Sequence, residues 1–205
     1  MKQQTKNNII AAAREMILEE GYGALRMQAL ADRAEVNKGV IHYYFKGKEN
    51  LYQEVLASLV GQIYVQVQDE LMREAPLKER LESVVGLYLQ KIAQEPRLPL
   101  FIVNELPKNP ALLSKMPLLQ EVRQTLNVLS EVLKQEGYQY GLKNAMALVM
   151  NMVSLIAFPF FMVSIKDKVL PDSPQAAEVL QDFMADRASE IASMVMVTLK
   201  QQSDE

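Results

Sequence analysis

The most informative pattern in this 205-residue chain lies in residues 25–51, LRMQALADRAEVNKGVIHYYFKGKENL. Its apolar residues recur every three or four positions, which predicts two short helices over about residues 27–34 and 38–45. Val36 is the apolar residue of the turn between them, and Asn37 has the short polar side chain that caps a following helix. The stretch therefore predicts two short helices joined by a tight turn.

The second of these helices has two different sides. On a helical wheel with about 100° per residue, Ile41 and Phe45 share one side, which we take as buried, and Tyr43 lies opposite them. Small residues near the N-terminus allow close approach, and a larger outward side chain can reach base edges in the major groove. The pattern predicts the recognition helix of a helix-turn-helix. The residues expected to contact DNA are Gln28, Lys38, Gly39, Val40, His42, Tyr43, Tyr44, Lys46 and Lys48.

One other interpretation of this segment stays open. Helix-turn-helix geometry also occurs in purely structural bundles, where Tyr43, Tyr44 and Phe45 would simply form core. For His42 we expect a phosphate contact through its ring, because the chain has one histidine and a metal site or pH switch would need partners.

The segment NKGVIHYYFKGKENLYQEVL resembles the end of the DNA-binding domain of TetR-family transcriptional regulators, whose usual pattern is roughly S-K-G-x-L-Y-x-x-F-x-x-K-E-x-L. The resemblance covers about residues 7–56 and includes an aromatic turn at Gly21-Tyr22. The positions in the expected order are Asn37, Lys38, Gly39, Ile41, Tyr44, Phe45, Lys48, Glu49 and Leu51.

Three positions depart from the family pattern. Arg26 stands where a threonine usually caps the second helix, and Glu35 stands at the glycine of the turn. A non-glycine residue at a positive φ is strained, so Glu35 is expected to destabilise that turn. His42 replaces the usual aromatic. These changes bear on the preferred DNA sequence rather than on the fold.

Composition narrows the function classes. The chain has no cysteine, which excludes disulfides and thiolate metal sites. Residues 1–50 carry eight Lys and Arg against six Asp and Glu, a net charge of +2, whereas residues 51–205 carry fourteen against nineteen, a net of −5. A basic head on an acidic body is typical of a DNA-binding module joined to another domain. We find no nucleophile–base pair, metal-ligand cluster or phosphate loop, and so expect no enzyme, metal or cofactor.

The rest of the chain predicts further helices. A first helix over about residues 5–20 would be capped by Thr5 and ended by Gly21. Later helices are expected over about 48–72, 77–94 and 118–135, with two apolar ones over 145–165 and 173–199, the last capped at Ser173-Pro174. The prediction is an all-α fold, with a DNA-binding domain over residues 1–47 and a larger helical ligand-binding and dimerisation domain over 48–205.

Residues 145–165 carry no charge and by length alone are a transmembrane candidate. A helix covered by its own domain and by a second subunit would also be apolar all round. We favour this second interpretation, and with it a cytoplasmic protein that pairs through its last two helices and uses no membrane.

The resemblance implies a homodimeric repressor that binds a double-stranded operator and is released by a small apolar or amphipathic effector. The candidate effector-binding residues are Tyr64, Tyr88, Phe101, Asn104, Met116, Arg123, Met150, Asn151, Phe158 and Met162. An architectural or protein-partnered DNA-binding protein without a ligand is the alternative, since its head would look the same.

Overall fold

The computed structural model describes residues 2–105, 108, 117–138, 141–169 and 183–201, and within these ranges every regular element is a helix. The predicted all-α class is confirmed. In chain order the helices are α1 (Lys2–Glu20), α2 (Met27–Arg33), α3 (Lys38–Phe45), α4 (Lys48–Met72), α5 (Leu77–Gln94), α6 (Leu98–Glu105), α7 (Pro117–Gln135), α8 (Leu142–Val169) and α9 (Arg187–Gln201).

The helices divide between two compact units, Met1–Gln62 with Leu100–Glu121, and Ile63–Pro99 with Val122–Glu205. The first unit contains α1, α2 and α3, and α2 packs against both of its neighbours. Helices α4, α6 and α7 each contribute to both units, so the division falls inside these three helices. The sequence-based domains are defined by function, DNA binding over residues 1–47 and ligand binding and dimerisation over residues 48–205. This assignment stays a prediction. The core of the first unit includes Ile9, Ala13, Ile17, Leu25, Leu30, Ile41, Phe45, Leu51, Tyr52, Val55 and Leu59.

The first helix begins earlier than predicted. α1 starts at Lys2, so the expected N-cap at Thr5 is wrong and this residue lies inside the helix. Side-chain amides one turn apart support the additional residues, with Gln3 donating to Asn7 over 3.0 Å. The expected end is confirmed, because Gly21 has φ 82° and its N–H donates to the Ile17 carbonyl.

The turn between α2 and α3 has the strain expected at Glu35, whose φ is 54°. The Glu35 N–H donates to the Asp32 carbonyl and the Val36 N–H to the Ala31 carbonyl, which is the Schellman arrangement of a helix C-terminus. The start of α2 also confirms a departure from the family pattern, since Arg26 makes no side-chain cap hydrogen bond.

The second unit is built around α5, α8 and α9, each of which contacts the other two. Two charged side chains, Arg80 and Arg187, are buried within it. Arg80 is buried on α5, where its Nη1 donates to the Leu71 carbonyl over 2.8 Å and its Nη2 forms an ion pair with Glu136. A carbonyl near the end of α4 and a carboxylate just after α7 are thereby held by one guanidinium.

The apolar helix α8 covers residues 145–165, and its segment Leu142–Phe160 is long and apolar enough to cross a membrane by length and composition alone. Its face formed by Ala145, Leu148, Met152 and Ile156 is buried in the core of the second unit. Their spacing of three and four residues is that of one side of a helix packed on a protein core. The predicted start of the last helix at Ser173 and Pro174 lies outside the described residues.

Candidate functional site

Helix α3, which the sequence predicts to be a recognition helix, has the predicted buried and exposed sides. The Asn37 side chain accepts a hydrogen bond from the Gly39 N–H over 2.9 Å and caps the helix, as expected. Ile41 and Phe45 are each 2% exposed, whereas Tyr43 is 61% exposed. The two buried side chains therefore anchor α3, and its opposite side projects a tyrosine.

The structure places the predicted DNA-contacting residues at or near the surface of the first unit. Tyr43 and Tyr44 meet edge to face with ring centroids 5.2 Å apart, and the Lys46 ammonium lies 5.5 Å from the Tyr43 ring. The side chains that are exposed are Gln28, Lys38, His42, Tyr43 and Lys46, together with Gly39, and those partly buried are Val40, Tyr44 and Lys48.

Tyr44 and Gln28 also donate hydrogen bonds within the protein. The Tyr44 hydroxyl donates to the Lys2 carbonyl over 3.0 Å, which joins α3 to the first turn of α1. The Gln28 amide donates to Asp32 over 3.0 Å along α2. The hydrogen bond to Lys2 therefore fixes the orientation of the Tyr44 ring.

Lys48 lies at the first position of α4 in a more confined setting. Its Nζ is 4.3 Å from the centroid of the Tyr22 ring and donates to the Gly23 carbonyl over 3.4 Å. Partial burial, followed by the nearby charge of Arg26, lowers the pKa of the Lys48 ammonium. An anion beside Lys48 would oppose this lowering of the pKa, because an opposite charge favours the charged ammonium.

The candidate ligand-binding residues do not all come together. Tyr64 of α4 and Tyr88 of α5 both pack against the core of the second unit. Burial, followed by Tyr64, raises the pKa of the Tyr88 phenol. Gln68, one helical turn after Tyr64, donates to Thr125 of α7 over 3.0 Å. These four residues place polar groups from three helices within an apolar unit.

The remaining candidates lie elsewhere. Phe101 is buried in the first unit, with its ring centroid 6.5 Å from that of Tyr52. Asn104, Arg123, Met150, Asn151 and Phe158 are exposed. The side chains of Met116 and Met162 lie outside the described residues.

Sequence reasoning missed Gln68, Thr125, Arg80 and Tyr52. A signal existed for Arg80, because it falls on the same face of α5 as Leu77, Leu81 and Val84, and a charge in an apolar stripe marks a buried ion pair. For Thr125 no local signal existed, since its partner is 57 residues away in the chain.

The geometry agrees with the comparisons to known proteins. The family of bacterial regulatory proteins, tetR family, matches residues 9–55. The fatty acid metabolism regulator protein of Bacillus subtilis (strain 168) is 30% identical over 147 residues, which are 69% of this chain and 73% of that protein.

Two solved structures share the fold. The fatty acid degradation regulator FadR from Bacillus halodurans has a TM-score of 0.67 at 20% identity, covering 92% of this chain and 94% of that one. The transcriptional regulator FadR from Bacillus subtilis, in complex with stearoyl-CoA, has a TM-score of 0.62 at 22% identity, covering 91% and 97%. These two structures show the fold, and the 30% identical relative, together with the family match over residues 9–55, shows that the chain belongs to the TetR family of DNA-binding transcriptional regulators.

Proposed function

We propose that this protein is a homodimeric repressor that binds operator DNA through α3 and is released by an amphipathic ligand with a long acyl chain. It acts in the cytoplasm by binding rather than by catalysis. Residues 1–47 form its DNA-binding domain, and residues 48–205 bind the ligand and the second subunit. The observation that carries the proposal is the exposed Tyr43 on a helix anchored by Ile41 and Phe45.

The character of the DNA-facing surface supports this function. Lys38 and Lys46 lie at the two ends of α3, where groove walls present phosphates, and Tyr43 lies between them. Phosphate contacts position a recognition helix, whereas contacts to base edges select a sequence. We therefore assign sequence preference to Tyr43 and general affinity to the lysines.

The outer surface of the last two helices supports a dimer. Exposed apolar side chains recur along α8 at Leu142, Met146, Met150 and Val153, at the spacing of one helix face. Only 28% of the residues in the most apolar window of α8 are buried within the chain. α9 contacts α8 and adds exposed Met194 and Val197. A second copy would cover these apolar residues in a two-fold bundle.

The ligand class rests on the relatives and on the second unit. A relative at 30% identity is a fatty acid metabolism regulator, and FadR from Bacillus subtilis was solved with stearoyl-CoA. Tyr64, Gln68, Tyr88 and Thr125 offer hydroxyl and amide groups among apolar side chains, which suits a ligand with one polar and one long apolar part.

Release follows from different affinities of the ligand for two arrangements of the dimer. Two recognition helices must be about 34–36 Å apart to enter successive major grooves on one face of DNA. A ligand that binds better to another spacing lowers operator affinity, and about 1.4 kcal/mol of preference gives a tenfold change.

The test is fluorescence anisotropy of the purified protein with its own promoter DNA and with random DNA, over a salt series. Stearoyl-CoA is then added, with free coenzyme A and stearate as matched controls for its two parts. We expect tight binding to the promoter that stearoyl-CoA relieves and that coenzyme A leaves unchanged.

The other outcomes discriminate between functions. Promoter binding that no compound relieves would favour an architectural DNA-binding protein. Promoter affinity that stearoyl-CoA increases would replace release by ligand-dependent binding. Equal affinity for promoter and random DNA at low salt would contradict sequence-specific regulation.

A further inference from the structure

Three aromatic side chains from distant parts of the chain contact one another in series, ring to tilted ring, inside the first unit. We call this series the stack. Tyr22 follows α1, Tyr52 belongs to α4 and Phe101 belongs to α6. The ring centroids of Tyr22 and Tyr52 are 4.4 Å apart, and those of Tyr52 and Phe101 are 6.5 Å apart at an interplanar angle of 65°. Attractive aromatic pairs have centroids about 4.5–7 Å apart, so the second separation lies inside this range and the first at its short limit.

The stack ends at a lysine on the DNA side. The Lys48 ammonium lies over the Tyr22 ring and donates to the Gly23 carbonyl, as described above. Tyr52 is 1% exposed and is one helical turn after Lys48 on α4, so the middle of the stack is rigidly connected to the helix that carries the lysine. The position of the Tyr22 ring therefore decides where the Lys48 ammonium is held.

Confinement of this kind favours phosphate binding. A free lysine side chain samples many rotamers and loses that freedom when it contacts a phosphate. A lysine already held by a ring face and a carbonyl loses less, so the complex is more stable for the same contact. Phe101 lies outside the matched family region, residues 9–55, yet it packs on the Tyr52 ring, which in turn contacts the Tyr22 ring beneath this lysine.

We propose that Tyr52 and Phe101 are positioning residues for DNA binding, which hold Tyr22 and thereby place the Lys48 ammonium to contact a DNA phosphate. The proposal rests on the DNA-contacting role assigned to Lys48. It makes affinity for DNA depend on α6, a helix that comes about fifty residues after Lys48 in the chain and carries none of the predicted DNA contacts.

The test is a double-mutant cycle in the full-length protein. Phe101→Leu keeps an apolar side chain but removes the ring, and Lys48→Met keeps an unbranched stem but removes the charge. Affinity for promoter DNA is measured by anisotropy for the wild type, both single variants and the double variant, each over a salt series. Phe160→Leu, the same change at a partly buried position in the second unit, is the matched control.

We expect Phe101→Leu to weaken DNA binding about threefold to tenfold in the wild-type background and less than about twofold when Lys48→Met is present. Lys48→Met should make the salt slope shallower by about one unit, and Phe101→Leu should move the slope in the same direction. Phe160→Leu should leave both quantities as they are in the wild type.

Three outcomes would overturn the proposal. If Phe101→Leu weakens binding equally in both backgrounds, or leaves affinity and slope unchanged, Phe101 does not act through Lys48. If Lys48→Met itself changes neither quantity, the assigned phosphate contact is wrong, and this failure is recognised separately. Should Phe101→Leu not fold, Phe101→Met, whose unbranched and flexible side chain adapts better to the space left by the ring, takes its place in the same cycle.

Discussion

At the scale of single residues, Glu35 has a left-handed backbone conformation in the same Schellman arrangement that Gly137 completes after α7. Such a conformation costs a non-glycine residue roughly 1–2 kcal/mol, part of which glycine loses again through its greater flexibility when unfolded. We expect Glu35→Gly to raise the free energy of urea unfolding by about 0.5–1 kcal/mol. Glu35→Ala, which keeps the Cβ, is the control, and an equal gain from it would assign the effect to the carboxylate instead.

Tyr43 tests the assignment of sequence preference. Tyr43→Ala should weaken binding to the promoter by roughly 1–3 kcal/mol while affecting random DNA less, because a contact to a base edge is lost. Tyr43→Phe removes only the hydroxyl and so separates its contribution from that of the ring. Anisotropy on both DNAs measures these effects, and an unchanged ratio of the two affinities in Tyr43→Ala would remove this residue from sequence recognition.

Burial of the Tyr88 phenol predicts that the stability of the protein depends on pH. Its pKa is raised above the ordinary 10.0 by burial and by Tyr64, so above about pH 10 the unfolded chain loses this proton before the folded protein does. The folded state then binds more protons, and stability falls as pH rises. We expect the free energy of unfolding to fall more steeply between about pH 9.5 and 11 in the wild type than in Tyr88→Phe. Parallel curves would show that the phenol is not buried from solvent.

At the scale of elements, Arg80 joins the ends of three helices. Its side chain is 7% exposed, and it holds the Leu71 carbonyl and the Glu136 carboxylate. Arg80→Met keeps the apolar stem but leaves that carbonyl without its donor, whereas Glu136→Gln leaves a buried cation without its anion.

We expect each change to lower the free energy of urea unfolding by about 1–3 kcal/mol. The double variant should be no less stable than Arg80→Met alone, because the two side chains act as one unit. Fully additive losses would mean that Arg80 and Glu136 stabilise the protein separately.

At the scale of the whole molecule, the exposed face of α8 tests the dimer. Met150 is 60% exposed and lies on the apolar face of α8. Met72 is exposed to the same degree, 59%, but lies outside that face. Met150→Glu would bury a charge in the proposed two-fold interface, so sedimentation should show monomers at concentrations where the wild type is expected to be a dimer. Met72→Glu, a matched change at the end of α4, should remain dimeric. If both variants stay dimeric, subunits pair through another surface.

The exposure of side chains on α8 also bears on the predicted ligand site. Met150, Asn151 and Phe158 are exposed on α8, and Phe101 is buried in the first unit, so these four do not surround Tyr64 and Tyr88 within the second unit. The helical pattern could not separate these cases, because a methionine or phenylalanine in an apolar helix suits a core, a pocket or a subunit interface equally.

The sequence alone determined the features that depend on a few neighbouring residues. Apolar spacing and cap chemistry predict the bounds of α3, α4 and α5, the Asn37 cap, the end of α1 at Gly21 and the buried pair Ile41 and Phe45. Their hydrogen bonds join residues within about one helical turn, so each is encoded where it forms.

Only the tertiary structure decided which of these helices meet. The stack that joins Tyr22, Tyr52 and Phe101, the pairing of Arg80 with Glu136 and the bond from Gln68 to Thr125 connect residues far apart in the chain. These contacts depend on how whole helices pack, and many pairings satisfy the same apolar periodicity. Burial of one particular set of surfaces, rather than any local preference, therefore selects them.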